Sequence, residues 1–170
     1  FTWIACLTGY TFGLVVPAES PIKSIKDLVD HAKANPGKFT YGSTGIGTSP
    51  HLAVEEFAQR AGITLNHIPF KGNADAQMAL RSGDIQLMAD AVPAIVGPIK
   101  AGRIKAIGVC DSKRSAYLPD VPTVAEQGFP SVIAVGSIGI GAPANTPAPI
   151  LDRLAGDVRD KVTAVNRFID

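Results

Sequence analysis

Short runs rich in apolar residues alternate along the chain with segments in which apolar residues recur every three or four positions. The runs lie at residues 12–16, 39–43, 65–70, 85–89, 104–109 and 133–140. Runs of this length, bounded by glycine, proline or asparagine, are typical of strands. The periodic segments predict helices at residues 24–34, about 50–61, 73–82, 93–101 and 147–162, with a short helix near 123–127. Strands separated by helices predict an α/β fold, with a mainly parallel sheet and flanking helices.

Cap residues support several of these helices. Ser24 and Asp27 form a capping-box pattern ahead of the first helix, and Asn73 stands where a cap for the third is expected. Gly62 and Gly83 follow the second and third helices and predict their ends.

The most informative segment for function is the glycine loop (residues 43–51), which joins a predicted strand to a predicted helix. It reads Ser-Thr-Gly-Ile-Gly-Thr-Ser-Pro-His, with Ser49 as the expected N-cap and Pro50 at the first helical position. Free backbone N–H groups and the positive end of the helix dipole meet at such a place, so the loop suits an anion.

The spacing of the glycines restricts which anion fits the loop. Position 48 is threonine where a P-loop requires lysine, and Pro50 stands where a dinucleotide-binding fingerprint requires its third glycine. A carboxylate, or a polar uncharged ligand, therefore fits better than a nucleotide. The alternative is a tight strand-to-helix turn with no ligand, and the pattern alone leaves both open.

Three further positions are candidates for the same edge of the sheet. His51 is followed one turn later by Glu55, so it either contacts a ligand or forms a surface hydrogen bond. Asp90 follows a predicted strand, where open α/β sheets bind ligands, and it could equally cap the next helix. Lys71, next to Gly72 after another strand, could attract an anion or remain solvated.

Evidence for catalysis is thin in this sequence. A zinc-protease HExxH motif and a GxSxG elbow are both absent, and His31 and His67 are expected to be structural. The alternative function is a small α/β enzyme that uses Asp90 and His51 as an acid/base pair. It requires the two side chains to converge on one substrate.

Composition and charge exclude other classes of protein. The 170 residues carry 16 Lys and Arg against 15 Asp and Glu, a net charge of +1, with 46% hydrophobic residues. A disordered chain would have fewer apolar residues, and a nucleic-acid-binding protein would have a basic excess. Two charge-free stretches, residues 1–18 and 128–151, are interrupted by glycine and proline and do not predict membrane spans.

Two cysteines, Cys6 and Cys110, are too few for a disulfide framework or a zinc site. We expect two small buried residues, with a single disulfide as the alternative. The chain begins with Phe1, and we expect a processed segment or a larger portion of protein to precede it.

A series of ordered motifs gives the chain a family resemblance. They read NPGK, SxGxGTSxHL, PFKG, SGDIQLM, KAGRIKAI, SKRS and LPDVPTVAEQGFP, and the similarity around them covers residues 11 to about 154. This series resembles the substrate-binding proteins of tripartite tricarboxylate transporters, the Bug family.

The resemblance implies a lobe of a type II periplasmic binding protein, which has two α/β lobes and closes on its ligand. It implies no enzyme activity and no cofactor or metal. The expected ligand is a small organic acid or an amino acid, the expected partners are membrane transporter subunits, and the expected location is the periplasm after removal of a signal. Nucleic acid is not an expected partner.

Carried over by position, the resemblance assigns the ligand to one set of residues. They are Ser43, Thr44, Gly45, Gly47, Thr48, Ser49, His51, Lys71, Gly72 and Asp90. It also predicts three parts: residues 1–14 as a hinge and first-lobe strand, 15–132 as the second ligand-binding lobe, and 133–170 as a return towards the first lobe. The first lobe's own loop has no counterpart here, so closure is expected to need further chain.

Overall fold

A computed structural model of the protein describes the backbone of residues 1–166 and the side chains of residues 1–162. The chain divides into two compact units. The larger is Tyr10–Val135, and the smaller combines Phe1–Gly9 with the segment that begins at Gly136. This division does not test the roles predicted for residues 1–14, 15–132 and 133–170, which stay predictions.

Six strands and five helices make up the described chain. In order they are β1 (Thr2–Pro17), α1 (Ile25–Ala34), β2 (Thr40–Ser43), α2 (Ser49–Ala61), β3 (Asn66–Pro69), α3 (Asn73–Ser82), β4 (Leu87–Ala91), α4 (Val92–Lys100), β5 (Ile104–Val109), β6 (Val135–Ala142) and α5 (Ala148–Asn166).

The sheet of the larger unit has the strand order β3-β2-β4-β1-β5. β2 is parallel to β3 and to β4, whereas β1 is antiparallel to both β4 and β5. Four strands therefore point the same way because helices connect them, and β1 fills the place that the last crossover leaves open. The α/β fold with flanking helices is confirmed, and the sheet is mixed.

Both faces of this sheet are covered, which explains why the run in β1 is apolar without alternation. Leu14 and Val16 point into a cluster with residues of α1 and α2, such as Phe57. Val15 points into a second cluster with residues of α3 and α4, such as Leu80. Successive side chains of a strand point to opposite faces, so β1 contributes to both halves of the core.

Most predicted elements are present, with two differences, one in the bounds of β4 and one at the start of α3. β4 begins and ends two residues later than predicted, so Asp90 lies inside the strand and not after it. Gly72, not Asn73, is the N-cap of α3, because the Asn73 side chain is used in a hydrogen bond to Asp90. The capping box of α1 is confirmed, with the Asp27 amide donating to the Ser24 hydroxyl at 3.1 Å.

The short helix predicted near residues 123–127 is absent, and this prediction is wrong. Thr123 and Glu126 do exchange capping-box hydrogen bonds, of 2.7 and 2.9 Å. The segment makes only short-range turns, because Gly128 takes a left-handed conformation (φ +101°) and ends it within one turn.

In the smaller unit β6 pairs with the first part of β1, and α5 follows. Gly139 of β6 lies against the Trp3 ring, where an added Cβ would come within 2.1 Å of the indole. Across the part of the chain that the structure describes, we find no helix that combines the length and the apolar character needed to span a bilayer.

The two cysteines differ in environment, which corrects the expectation that both are buried. Both are free; Cys6 is exposed and Cys110 is buried. Burial, with smaller contributions from the charges of Glu56 and Asp111, raises the pKa of the Cys110 thiol to about 12.

This difference predicts selective thiol chemistry. We expect a disulfide reagent to modify Cys6 in the folded chain at about pH 8 and to leave Cys110 unmodified, because the thiolate is the nucleophile. Counting released chromophore before and after unfolding in guanidinium checks this. Two rapidly reacting thiols in the folded chain would contradict it.

Candidate functional site

The carboxyl ends of three neighbouring strands bring the predicted site residues to one edge of the sheet. The glycine loop leaves β2, Lys71 and Gly72 follow β3, and Asp90 is the penultimate residue of β4. β2 and β4 pair in register, Gly42 opposite Met88, so the path of the two strands brings Thr44 level with Asp90. Adjacent strands lie about 4.8 Å apart, and the predicted residues therefore share one edge.

The glycine loop is shaped by its glycines and fixed by two hydroxyl groups. Gly45 and Gly47 have φ values of +129° and +78°, which side chains with a Cβ rarely adopt. The Thr48 hydroxyl donates to the Gly45 carbonyl at 2.7 Å, and the Gly45 amide donates to the Ser43 hydroxyl at 3.1 Å. The hydroxyl proton of Thr48 is thus used within the loop.

The start of α2 differs from the prediction by one residue. Thr48, and not Ser49, is the N-cap, with extended backbone angles of −74° and 158°. Its side chain makes no capping bond, because it donates to Gly45 instead. Pro50 does lie in the first turn of the helix, as predicted.

Several backbone donors of the glycine loop are left without an acceptor. Within residues 1–166, the N–H groups of four loop residues donate to no protein atom; they are those of Thr44, Ile46, Ser49 and His51. Two of them belong to the first turn of α2, where the helix dipole places partial positive charge. The loop therefore offers a group of hydrogen-bond donors suited to an anion.

An aromatic and polar cluster adjoins the loop, with Tyr41 and Ser43 buried, His51 and His67 half-buried and Glu55 exposed. His67 Nε2 lies 2.7 Å from the Ser43 hydroxyl oxygen, and the His67 ring stacks on Tyr41 with centroids 4.8 Å apart. The His51 ring lies 4.3 Å from that of His67, and the Gly47 amide donates to His51 Nδ1 at 3.3 Å. We call Tyr41, Ser43, His51, Glu55 and His67 the histidine cluster.

Tyr41 and His67 of this cluster are not among the predicted site residues, and the sequence predicts a structural role for His67. The position of His67 in the cluster comes from the pairing of β2 with β3 in the structure, which places His67 opposite Tyr41. His51 and Glu55 form no hydrogen bond with each other in the described chain, because Glu55 accepts one from the Tyr41 hydroxyl. His31, in contrast, packs edge-on against Phe39 and fits the structural role expected for it.

Burial is the largest influence on the pKa values of Tyr41 and His67. Burial, and then the hydrogen bond to Glu55 and its charge, raise the pKa of the Tyr41 phenol well above its ordinary value. Burial and the neighbouring His51 lower the pKa of His67, while Glu55 acts in the opposite direction. The His67 imidazole is therefore biased towards its neutral form.

Asp90 is buried, with 6% of its surface exposed, and is already hydrogen-bonded. One carboxylate oxygen accepts from the Asn73 amide at 3.1 Å and the Gln77 amide at 2.7 Å, and the other accepts from its neighbour, the Ala91 amide, at 2.7 Å. The side-chain amide oxygen of Asn73, Oδ1, is buried without a hydrogen-bond partner among the described residues. Asp90 makes no hydrogen bond to His51 within the described residues, so the two do not form an acid/base pair there.

The remaining candidate positions lie on the surface of this edge. Lys71 is exposed and forms no ion pair among the described residues, and Gly72 beside it precedes α3. An open groove lined by Met78, Arg81, Ser82 and Arg103 belongs to the opposite edge of the sheet, at the amino ends of β4 and β5. It contains none of the predicted site residues.

Comparison with known proteins supports the family resemblance. The family described as the tripartite tricarboxylate transporter family receptor matches residues 1–168. The chain belongs to this family. One curated relative in it, from Cupriavidus necator, is known as the UPF0065 protein in the gbd 5′ region. It is 42% identical over 152 residues, which are 89% of this chain and 46% of the relative.

Several solved structures of periplasmic binding proteins and similar proteins have the same fold as this chain. An R. palustris protein solved with adipate is 31% identical, with a TM-score of 0.87 over 93% of this chain and 53% of that one. The periplasmic binding protein BugD is 30% identical, with a TM-score of 0.86 and the same coverage. MatC from Rhodopseudomonas palustris, with bound malate, is 25% identical, with a TM-score of 0.88 over 95% and 55%.

Two conclusions follow for the receptor chain. It spans about half the length of the curated relatives and solved structures it matches. It has the lobe fold of a periplasmic binding protein, and it belongs to a family of binding proteins and not of enzymes. The alternative of an Asp90 and His51 enzyme is therefore wrong.

Proposed function

We propose that the glycine loop binds one carboxylate of a small organic acid, as part of a periplasmic receptor that delivers this acid to a membrane transporter. The observation that carries the proposal is the group of four backbone N–H donors without acceptors, at Thr44, Ile46, Ser49 and His51. Each would form a charge-assisted hydrogen bond to a carboxylate oxygen, which is stronger than a bond between neutral groups.

The other predicted residues have distinct parts in this proposal. Gly45 and Gly47 allow the positive φ angles of the loop, while Ser43 and Thr48 hold that conformation through Gly45. Lys71, exposed after β3 beside Gly72, adds a positive charge to the approach. Asp90 positions Asn73, at the start of α3, and Gln77, one turn later.

Relatives favour a dicarboxylate as the ligand. Proteins of the same fold and 25–31% identity have been solved with adipate and with malate. Malate and adipate differ in length and substitution but share a carboxylate, which is the group that the loop suits. We propose that the loop binds this shared carboxylate and that other contacts select the rest of the molecule. An amino acid also carries a carboxylate and is a second kind of ligand that the loop suits.

The proposal predicts a localised response to carboxylates. In ¹H–¹⁵N correlation spectra of the 170-residue chain, malate and adipate are expected to shift the amide signals of Thr44, Ile46, Ser49 and His51 more than other amides. The shifts should saturate with ligand concentration, because these N–H groups exchange water for a carboxylate. Malamide, the neutral diamide of malate, is the matched control and should produce no saturable shift.

Two results would contradict the proposed function. One is saturable binding of malamide with the same affinity as malate, which would indicate a polar uncharged ligand. The other is an absence of loop shifts with every acid tested at millimolar concentration.

A further inference from the structure

We propose that His67 is a positioning residue that couples anion binding at the glycine loop to proton uptake, so that the protein binds carboxylates more tightly in mildly acidic solution. The inference rests on the proposed function of the loop. It concerns a residue that does not line the loop itself and acts through Ser43.

The Ser43 hydroxyl connects His67 to the loop. Its oxygen lies 2.7 Å from His67 Nε2 and 3.0 Å from the Gly45 carbonyl oxygen, and it accepts from the Gly45 amide at 3.1 Å. A hydroxyl has one proton and can donate it to only one of these two acceptors at a time. The His67 imidazolium always carries a proton on Nε2, whereas the neutral ring does so in only one of its two tautomers, so protonation of His67 removes the competition for the Ser43 proton.

Protonation of His67 favours the hydrogen bond that fixes the loop. When Nε2 carries a proton, the imidazole donates to Ser43 and the hydroxyl is left to donate to Gly45. The Gly45 carbonyl then accepts from both Ser43 and Thr48. When Nε2 is bare, it competes for the Ser43 proton and that second bond is lost.

The charge of the imidazolium acts in the same direction. His67 is one hydrogen bond from Ser43, and its ring contacts that of His51, whose own backbone N–H is one of the four free donors. The negative charge of a carboxylate bound at the loop would therefore favour the positively charged, protonated form of His67. By linkage, whatever favours protonation of His67 on binding makes binding tighter when His67 is already protonated.

The groups that face His67 set the range in which this coupling acts. Tyr41 of β2 stacks on the ring, and His51 and Glu55 of α2 are its other titratable neighbours in the described residues. Burial and His51 hold the pKa of His67 below its ordinary value in the free protein. A bound anion raises it again, so proton uptake occurs between the two values and affinity rises as the pH falls through this interval.

The test compares malate binding to the 170-residue chain at about pH 6 and about pH 8, where both malate carboxyls are ionised. Wild type is expected to bind about fivefold more tightly at the lower pH, the size of a modest coupling between sites. In His67→Gln this ratio should fall to about one, with an affinity near that of wild type at the higher pH. His31→Gln is the matched control and should keep the wild-type ratio.

A second measurement does not depend on any variant folding. The imidazole proton signals of wild type give the pKa of His67 with and without saturating malate, and malate is expected to raise it. The inference would be overturned if His67→Gln kept the wild-type ratio of malate affinities at the two pH values. It would also be overturned if only His51→Gln lost that ratio. A His67 pKa that malate leaves unchanged would overturn it as well. If malate binds equally at both pH values, this inference fails and the proposed function stands; if malate does not bind, both fail.

Discussion

Replacing Ser49 by proline is expected to weaken malate binding to this chain by about tenfold or more, roughly 1.4 kcal/mol, without a comparable loss of stability. Proline removes the Ser49 N–H, one of the four free donors of the loop, and a hydrogen bond to a charged group contributes about 1.5–3 kcal/mol. The backbone accepts the change. Thr48 has the extended angles that a residue before proline requires, and proline is tolerated in the first turn of a helix.

Ser49→Ala is the control that separates the backbone from the side chain. It keeps the N–H and removes a hydroxyl that makes no hydrogen bond in the described chain, so its affinity should stay within about twofold of wild type. Titration of both variants with malate, together with urea unfolding, completes the comparison. Equal affinity of Ser49→Pro and wild type would remove this N–H from the site. Weak binding in Ser49→Ala would assign the role to the hydroxyl instead.

Phe57→Ala is expected to lower the free energy of unfolding by about 3–5 kcal/mol. The Phe57 side chain is fully buried in the cluster between α1, α2 and the sheet, and its ring packs edge-on against Phe129 with centroids 5.5 Å apart. Its removal leaves a cavity in the part of the core that supports α2. The first turn of α2 also belongs to the glycine loop.

Urea unfolding measures this effect, as a lower midpoint with an unchanged slope. Leu52→Ala on the same helix is the matched control: Leu52 is 56% exposed, and its truncation should cost within about 0.5 kcal/mol. Similar losses from Phe57→Ala and Leu52→Ala would mean that the cluster around Phe57 does not support the fold as described.

Local pattern was sufficient to predict most elements between residues 24 and 109. The spacing of Ile25, Leu28, Val29 and Ala32 predicted α1, and all four are buried. Gly62 and Gly83 end α2 and α3 in left-handed conformations, as predicted. These features depend on interactions within a few residues, which a single sequence displays directly.

Long-range partners account for what the sequence did not predict. The run at residues 12–16 predicts a strand but not its neighbours, and antiparallel β1 lies between β4 and β5 because those strands leave a place for it. Asn73 looks like a helix cap from sequence, yet its amide is committed to Asp90 across the sheet edge. Near residues 123–127 the sequence predicts a short helix, but the left-handed Gly128 limits the segment to a turn.

The same distinction between local and long-range interactions applies to the candidate site. The glycine loop and its free donors were predictable, because strand, glycines and proline are adjacent in the chain. His67 was not, because its importance comes from the pairing of β3 with β2 and from α2 folding over both. The predicted binding residues remain to be tested by the titrations described above.

The position of β1 has a consequence for how the chain is made. Phe12 pairs with Ala91 and Gly13 pairs with Val109, so β1 is synthesised before either of the strands that flank it in the sheet. Contacts between such distant parts of a chain slow folding, and an unpaired apolar strand is prone to aggregate while it waits. A nascent chain that stops before β5 would leave one side of β1 open. The sheet of the larger unit can therefore be completed only after β5 has been synthesised.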